Sequence, residues 1–253
     1  ERARMEAGLV ELDGFDRSAL PKAGQLSLDL YRMSLERSLM LDDFRHHAYA
    51  LHQFRGAHTS IPSSLINIHR VDSAADAEAY VGRLKNVETY LGEVEEQLIL
   101  RADKGFHLVD WMYPAILESS SNVISGQPFG DSENLSPVWS DFQAKVAKLE
   151  LSEDEEARLL NAGRDALVSQ FKPAYKRFMA TVEHLAQSAT GDDGVWRFPD
   201  GEEDYQRLLK WFTTTDLTAD EVHQLGLANV IRIHDEMRSI MRQVGFSGTL
   251  QEF

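Results

Sequence analysis

The sequence has 253 residues, of which 43% are hydrophobic and 26% are charged, close to the usage of ordinary globular domains. Its 26 basic and 41 acidic residues give a formal net charge of −15, and such an acidic surface repels nucleic-acid phosphates and anionic lipid heads. The absence of cysteine excludes disulfides, thiolate zinc sites and a cysteine nucleophile. No apolar run approaches the roughly 18 residues of a membrane span. We therefore expect neither a nucleic-acid partner nor a membrane span.

Two long helical patterns occupy the first half of the chain. Apolar residues recur at helical spacing over residues 26–54, which predicts one long helix. A polar, turn-rich connector that contains Pro62 is predicted over residues 55–72. A second long helix is predicted over residues 74–103, with Ser73 as its N-cap.

The predicted helix over residues 74–103 has a single apolar stripe. Its apolar residues follow one another at steps of three and four, so they share one face, and we expect Leu91, in the middle, to be buried. The acidic residues of this helix are interpreted as a solvated face. The stripe consists of Tyr80, Leu84, Val87, Leu91, Val94 and Leu98, and the acidic residues that lie off it include Glu88, Glu93, Glu95 and Glu96.

The middle of the chain contains a helical pattern followed by a loop. Residues 109–124 predict a helix that Pro114 should kink or restart. Residues 125–136 are rich in Gly, Pro, Asp and Asn, which predicts a loop and the best candidate for an internal domain boundary. The next helix is predicted to begin at Pro137, a favoured first helical residue.

Two capping boxes begin helices in the second half. Ser152 with Glu155, and Thr218 with Glu221, have the spacing at which two side chains satisfy each other's backbone donors. The helical run after Ser152 is predicted to be interrupted at Pro173.

No window predicts a convincing strand. The closest, residues 195–198, is short and is followed directly by proline. The predicted fold class is therefore all-α, an irregular multi-helix bundle with long antiparallel helices.

Nine histidines raise the question of a metal site. Zinc ligands on a helix usually stand four residues apart, as in H-E-x-x-H, but no two histidines here have that spacing. Asp42 with His46, and Asp43 with His47, are four apart and are interpreted as helix-surface hydrogen bonds, with a ligand or acid–base role as the alternative. We therefore predict no metal ligand and no catalytic residue in this chain.

Hydroxyl and aromatic residues cluster late in the sequence. The run 213–215 consists of three threonines, interpreted as a strained helix end with cap residues. Core packing is the default interpretation of the nearby aromatic residues, and a ligand-facing wall is the alternative. These aromatic residues are Trp196, Phe198, Trp211 and Phe212.

One stretch of sequence resembles a known family. The segments Gly194-Val-Trp-Arg-Phe-Pro-Asp-Gly201 and Thr213-Thr-Thr-Asp-Leu-Thr-Ala-Asp-Glu-Val-His-Gln-Leu-Gly226 are similar to the bacterial domain-of-unknown-function family 885. The resemblance is strongest over residues 191–248. Upstream it is more diffuse, over residues 86–93 and 107–121.

The resemblance implies a zinc peptidase of the gluzincin type. Members of such a family have an H-E-G-x-P-G-H run downstream of the threonine segment, and this chain stops at Phe253 before it. We therefore expect residues 1–253 to be the N-terminal helical portion of a longer protein. The start at Glu1 rather than Met implies that the natural N-terminus lies upstream. Zinc is expected in the longer protein, no cofactor in this segment, and no activity from the segment alone.

The expected role of the chain is to form one wall of the cleft that binds a peptide substrate. The candidate cleft residues, which lie where the resemblance is densest, are Trp196, Tyr205, Thr214 and His223. The alternative is a non-catalytic helical module that binds a peptide or a partner protein. The cell envelope or periplasm is expected as the location rather than the cytoplasm.

Overall fold

The computed structural model describes residues 1–253 and confirms the all-α fold class. The chain forms no sheet, and its β pairing is limited to isolated bridges. A π-helical segment, Leu167–Phe171, joins α7 to α8, and a short 3-10 helix spans Val195–Arg197. The α-helices are α1 (Arg2–Asp13), α2 (Lys22–Asp42), α3 (Ala57–Asn67), α4 (Ala74–Asp103), α5 (Met112–Val123), α6 (Pro137–Ala147), α7 (Glu153–Ala166), α8 (Lys172–Ala186), α9 (Gly201–Thr213) and α10 (Ala219–Gln243).

The helices divide into two compact units. The central unit is the continuous segment His46–Pro199, which contains α3 to α8. The terminal unit combines Glu1–Arg45 with Asp200–Phe253 and contains α1, α2, α9 and α10. The loop at residues 125–136, the predicted boundary candidate, connects α5 to α6 within the central unit.

Helix α4 is the axis of the central unit and matches its predicted bounds. Ser73 is the N-cap, and its hydroxyl accepts a hydrogen bond from the Asp76 amide. The predicted stripe is buried, with Leu84 and Leu91 fully inaccessible to solvent. It packs against α7, α8 and the π-helical segment. The largest fully buried side chains of the central unit include Leu51, Tyr80, Leu84, Leu91, Phe142, Phe171, Tyr175 and Phe178.

One acidic residue of α4 corrects the prediction of a solvated face. Glu95 is only 8% exposed. Its carboxylate accepts hydrogen bonds from Arg177 Nε at 3.1 Å and from Thr181 Oγ1 at 3.0 Å. Both donors lie on α8, so Glu95 joins α4 to α8. A charge this buried needs such partners.

Helix α3 lies where the sequence predicted a polar connector, so that prediction was wrong. Pro62, which suggested a turn, sits inside the helix. Because proline lacks an N–H, the carbonyl four residues earlier, that of His58, has no donor from the helix backbone. The Tyr175 hydroxyl donates to this carbonyl at 3.2 Å. A side chain distant in sequence thus satisfies the group that proline leaves unpaired.

The prediction of one helix over residues 26–54 was also wrong. Helix α2 ends at Asp42, where two consecutive acidic side chains are unfavourable at the negative end of the helix dipole. Arg2 Nη1 donates to Asp42 and Asp43, at 3.0 Å in each case, which also fixes α1, a helix the sequence analysis did not predict. Since α2 stops at Asp42, the spacings from Asp42 to His46 and from Asp43 to His47 do not run along one helix.

Proline and cap positions in the remaining helices refine the predictions. Pro114 does not kink its helix, because it is the third residue of α5, where no backbone N–H is needed by the helix. Ser152 accepts from the Glu155 amide, but the Glu155 carboxylate pairs with Arg158, so only half of that capping box forms. The run before Pro173 stays helical as the π segment.

The capping box that begins α10 is complete. The Thr218 hydroxyl accepts from the Glu221 amide, and the Glu221 carboxylate accepts from the Thr218 amide at 2.8 Å. The prediction for this helix start is confirmed. No helix in the structure combines the length and the apolar character needed to cross a bilayer.

Candidate functional site

The four predicted cleft residues lie on three different elements. Trp196 is in the 3-10 helix of the central unit, and its side chain is 75% exposed. The other three belong to the terminal unit: Tyr205 on α9, Thr214 directly after α9, and His223 in the first turns of α10. Tyr205 is 42% exposed and His223 is exposed. The structure therefore brings three of the candidates into one unit.

Helix α9 is held against α2 by two arginines. Arg207 donates to the carbonyl of Met40 at 2.8 Å, and its guanidinium lies over the Phe44 ring at 4.2 Å. A second cation–π contact has its arginine on α2 and its ring on α9: the Arg37 guanidinium lies over the Trp211 ring at 4.4 Å. Cation–π contacts of this kind stabilise by about 0.5–2 kcal/mol. They position α9, and with it Tyr205, on the terminal unit.

The aromatic residues of this region divide between packing and exposure. Core packing, the default expectation, is confirmed for Phe198, which is buried against Phe106 with ring centroids 5.2 Å apart. It is wrong for Trp196 and Phe212, which are 75% and 78% exposed. Large exposed aromatic side chains are the informative exception on a protein surface.

Both ends of α9 have left-handed backbone at residues other than glycine. Asp200, the N-cap, has φ 56°, and Thr214, the C-cap, has φ 57°. A β-branched residue at positive φ is a genuine outlier. Such conformations cost of the order of 1–3 kcal/mol and cluster at binding and catalytic sites. The predicted interpretation of the threonine run as a strained helix end is confirmed at Thr214.

The hydroxyls of the threonine run are already hydrogen-bonded to one another and to backbone. Thr213 Oγ1 donates to the Leu209 carbonyl at 2.7 Å and accepts from the Thr215 amide at 3.2 Å. Thr214 Oγ1 donates to the Thr213 carbonyl at 2.7 Å. To donate to a ligand, the Thr214 hydroxyl must therefore rotate away from its neighbour's carbonyl.

A concavity of about 320 Å³ lies between α9 and residues 215–217. Charged side chains line it, and they form two ion pairs, Arg207 with Glu203 at 2.7 Å and Lys210 with Asp216 at 2.6 Å. Exposed ion pairs of this kind contribute at most about 1 kcal/mol each. A polar ligand can therefore replace one partner of such a pair at little cost. Thr215 lines the concavity, whereas Tyr205, Thr214 and His223 do not.

Helix α10 exposes nearly all of its length. Of its residues only Met241 is buried, and its ion pairs, Arg232 with Glu236 and Arg238 with Asp235, are internal to the helix. Hydrogen bonds from Thr218 lower the pKa of Glu221 at its start. We call the uncovered apolar residues on one face of this helix the α10 stripe. Its exposed members are Leu225, Val230, Ile233 and Ile240, and Leu227 and Ile231 are exposed on other faces of the helix.

A large concavity of the central unit was not predicted from the sequence. It is a groove of about 720 Å³ between α3 and α4, with Arg70 and Arg83 among its lining residues. No motif marks these arginines, and the segment that supplies one wall was predicted to be a connector. Nothing in the sequence around Arg70 and Arg83 signals the groove, because both are exposed basic residues of a kind that is common on protein surfaces.

The family comparison covers the whole chain. The family described as bacterial protein of unknown function (DUF885) matches residues 1–253. No curated protein matches the chain. Among solved structures, the chain is similar to a candidate lipoprotein from Colwellia psychrerythraea, with 18% identity and a TM-score of 0.80 over 99% of this chain and 44% of that one. The chain thus spans less than half of that structure, and the likeness shows the fold. The chain belongs to the DUF885 family of bacterial proteins of unknown function.

Proposed function

We propose that the chain is the helical N-terminal portion of a zinc-dependent peptide hydrolase, in which the terminal unit forms a wall of the substrate cleft. The observation that supports this most is the exposed surface of α9 and α10. It combines the α10 stripe, the exposed Phe212 and the charged concavity beside α9. Apolar and aromatic walls with a few polar groups are the usual lining of a binding cleft.

The α10 stripe supports a role in which further protein or a peptide covers this apolar face. A helix of 25 residues is roughly 37 Å long, and helices in proteins draw most of their stability from packing of the apolar face. Since Val230 and Ile233 are 49% and 43% exposed, this face is free to receive more protein or a peptide. The solved relative is more than twice as long as the part that this chain matches.

In this proposal the chain binds and orients substrate. The Tyr205 hydroxyl donates a hydrogen bond to a peptide carbonyl of the substrate. The Thr214 hydroxyl also donates to the substrate, after it has rotated away from the Thr213 carbonyl. In this proposal zinc belongs to the longer protein, and no zinc ligand is assigned to residues of this chain. No step of the reaction is therefore assigned to a metal on these residues.

The proposed location is the cell envelope. Its support is the similarity in fold to a protein described as a candidate lipoprotein.

Tyr205→Phe and Thr214→Val in the natural full-length protein test the cleft assignment. We expect lower turnover or weaker binding of a cleaved peptide, with a melting temperature close to that of the wild type, because each change removes a hydroxyl and little packing. Tyr31→Phe is the matched control, since Tyr31 is also an exposed tyrosine of the terminal unit, at 56%. Full activity of both variants would overturn the cleft assignment.

A second candidate function is a non-catalytic helical module that binds a peptide or partner protein. The same α10 stripe favours it, because an amphipathic helix face is a common docking surface. The two candidates differ in one measurement. Zinc-dependent cleavage of a peptide library by the full-length protein supports the hydrolase, and binding without cleavage supports the module.

A further inference from the structure

The groove between α3 and α4 has a mixed lining that suits an amphipathic ligand. Its volume of about 720 Å³ is within the range of small-molecule sites, about 300–1,000 Å³. The floor is formed by the buried side chains of Ile61, Leu65 and Val87. At the edge, Ile68 and Tyr90 are 73% and 48% exposed, so the apolar surface continues out of the groove.

Two arginines of the groove have no carboxylate partner. Arg70 and Arg83 both line it, and neither forms an ion pair within the chain. Guanidinium groups match carboxylates with two parallel hydrogen bonds, and here that capacity is unused.

Arg83 is held in the groove by His69. The guanidinium contacts the His69 ring, and the same ring makes a 3.2 Å hydrogen bond through Nε2 with the Asp76 carbonyl. The ring also packs edge-on against Tyr80, with centroids 5.0 Å apart. Burial, together with the charges of Arg83 and Lys145, lowers the pKa of His69. The His69 ring therefore positions Arg83 in the groove.

Two other charged groups, Lys145 beside the groove and Asp76 in its lining, already have partners. Lys145 donates to the carbonyls of Leu65 and Ile66 at the end of α3 and pairs with Asp141 at 2.8 Å. The Asp76 carboxylate accepts hydrogen bonds from the Ser73 hydroxyl and the Asp72 amide at the start of α4. Only the two arginines remain available to a ligand.

Neutral hydrogen-bonding groups complete the lining. Ser60 and Ser64 lie one turn apart on α3, and Asn86 lies one turn after Arg83 on α4. We propose that this groove binds a small organic carboxylate with an apolar body, whose carboxylate pairs with Arg70 and Arg83 while its body covers Ile61, Leu65 and Val87. The proposal stands independently of the peptide hydrolase assignment.

The proposal is tested with three probes. The second and the third each lack one property of the first. N-acetylphenylalanine has the carboxylate and the apolar body, N-acetylphenylalaninamide has the body without the charge, and acetate has the charge without the body. Titration calorimetry on this chain should give binding of the first probe, and binding about tenfold weaker or less for the other two, because each lacks one of the two contributions.

Substitutions on the groove identify the site. Arg83→Gln and Arg70→Gln should each weaken N-acetylphenylalanine binding by about tenfold and leave the melting temperature unchanged, since both side chains are exposed. Lys85→Gln is the matched control, because it removes the same charge from the exposed surface of α4 outside the groove lining. Equal binding of acid and amide, no binding of the acid at millimolar concentration, or equal loss in Lys85→Gln and Arg83→Gln would each overturn the proposal.

Discussion

The central and terminal units use the same sequence signal with opposite outcomes. In the central unit the stripe of α4 is enclosed by α7 and α8, and Leu91 is fully buried. In the terminal unit α10 has a comparable apolar repeat, yet Val230 and Ile233 are 49% and 43% exposed. Amphipathic periodicity therefore predicts that a helix has an apolar face, but not what covers that face. The central unit is a self-contained core, and the terminal unit presents a surface.

The largest expected effect separates the two stripes directly. Leu91→Ala should lower the free energy of unfolding by about 2–5 kcal/mol, the range for truncating a buried leucine. Ile233→Ala, the matched change on the α10 stripe, should alter it by about 0.5 kcal/mol or less. Urea unfolding followed by circular dichroism measures both. Similar losses in the two variants would show that α10 is packed in solution as tightly as α4.

The buried His58 gives the central unit a pH dependence. Its side chain is inaccessible to solvent, neither ring nitrogen has a hydrogen-bond partner, and its ring is stacked on Phe178. Burial, with a smaller contribution from His52, lowers the pKa of His58 to about 4. The unfolded chain binds this proton near pH 6.5, so between pH 6.5 and 4 it takes up a proton that the folded chain does not.

Stability should therefore fall as the pH is lowered from about 6.5 to 4, by up to about 3 kcal/mol from this group. His58→Leu, close in size and without a titrating ring, should lose that part of the dependence. The measurement is urea unfolding of wild type and variant at pH 7 and pH 4.5. Parallel pH dependence in the two proteins would contradict the assignment of the effect to His58.

Two glycines test how closely each unit is packed. A Cβ on Gly163 of α7 would lie 2.3 Å from Cε1 of Phe142, which is fully buried, so Gly163→Ala should destabilise by about 1–3 kcal/mol through overpacking. A Cβ on Gly226 of α10 would meet no atom within 4 Å, so Gly226→Ala should stabilise by about 0.5–1 kcal/mol through helix propensity. The measurement is thermal unfolding of both variants. If both substitutions changed the stability in the same direction, the two units would not differ in how closely they are packed at these glycines.

The fold was predictable where local signals were sufficient. The bounds of α4 follow from the Ser73 cap and the apolar stripe, and the start of α10 follows from the box of Thr218 with Glu221. Helix α3 was not predictable, because the donor that compensates for Pro62 is Tyr175, which only the folded chain brings near. Similarly, the burial of Glu95 depends on α8.

The candidate sites show the same division. The segment around α9 was identified from its residues, including the strained end at Thr214. The groove with Arg70 and Arg83 was not, because neither arginine belongs to a motif. Its walls exist only when α3 packs against α4, and α3 was not predicted from the sequence.

The smallest expected effect concerns strain in the terminal unit. Thr214 has φ 57°, a conformation that costs an L-residue about 1–2 kcal/mol and costs glycine little. Its hydroxyl bonds only to the preceding carbonyl, so little is lost on removing it. Thr214→Gly should therefore stabilise the protein, but by no more than about 1 kcal/mol, because glycine also gives the unfolded chain more freedom. Thr214→Ala is the control, since it removes the hydroxyl and keeps the strain. Thermal unfolding should show a gain for glycine and none for alanine. An equal gain in both variants would mean that the side chain, rather than the backbone at Thr214, is the source of the cost.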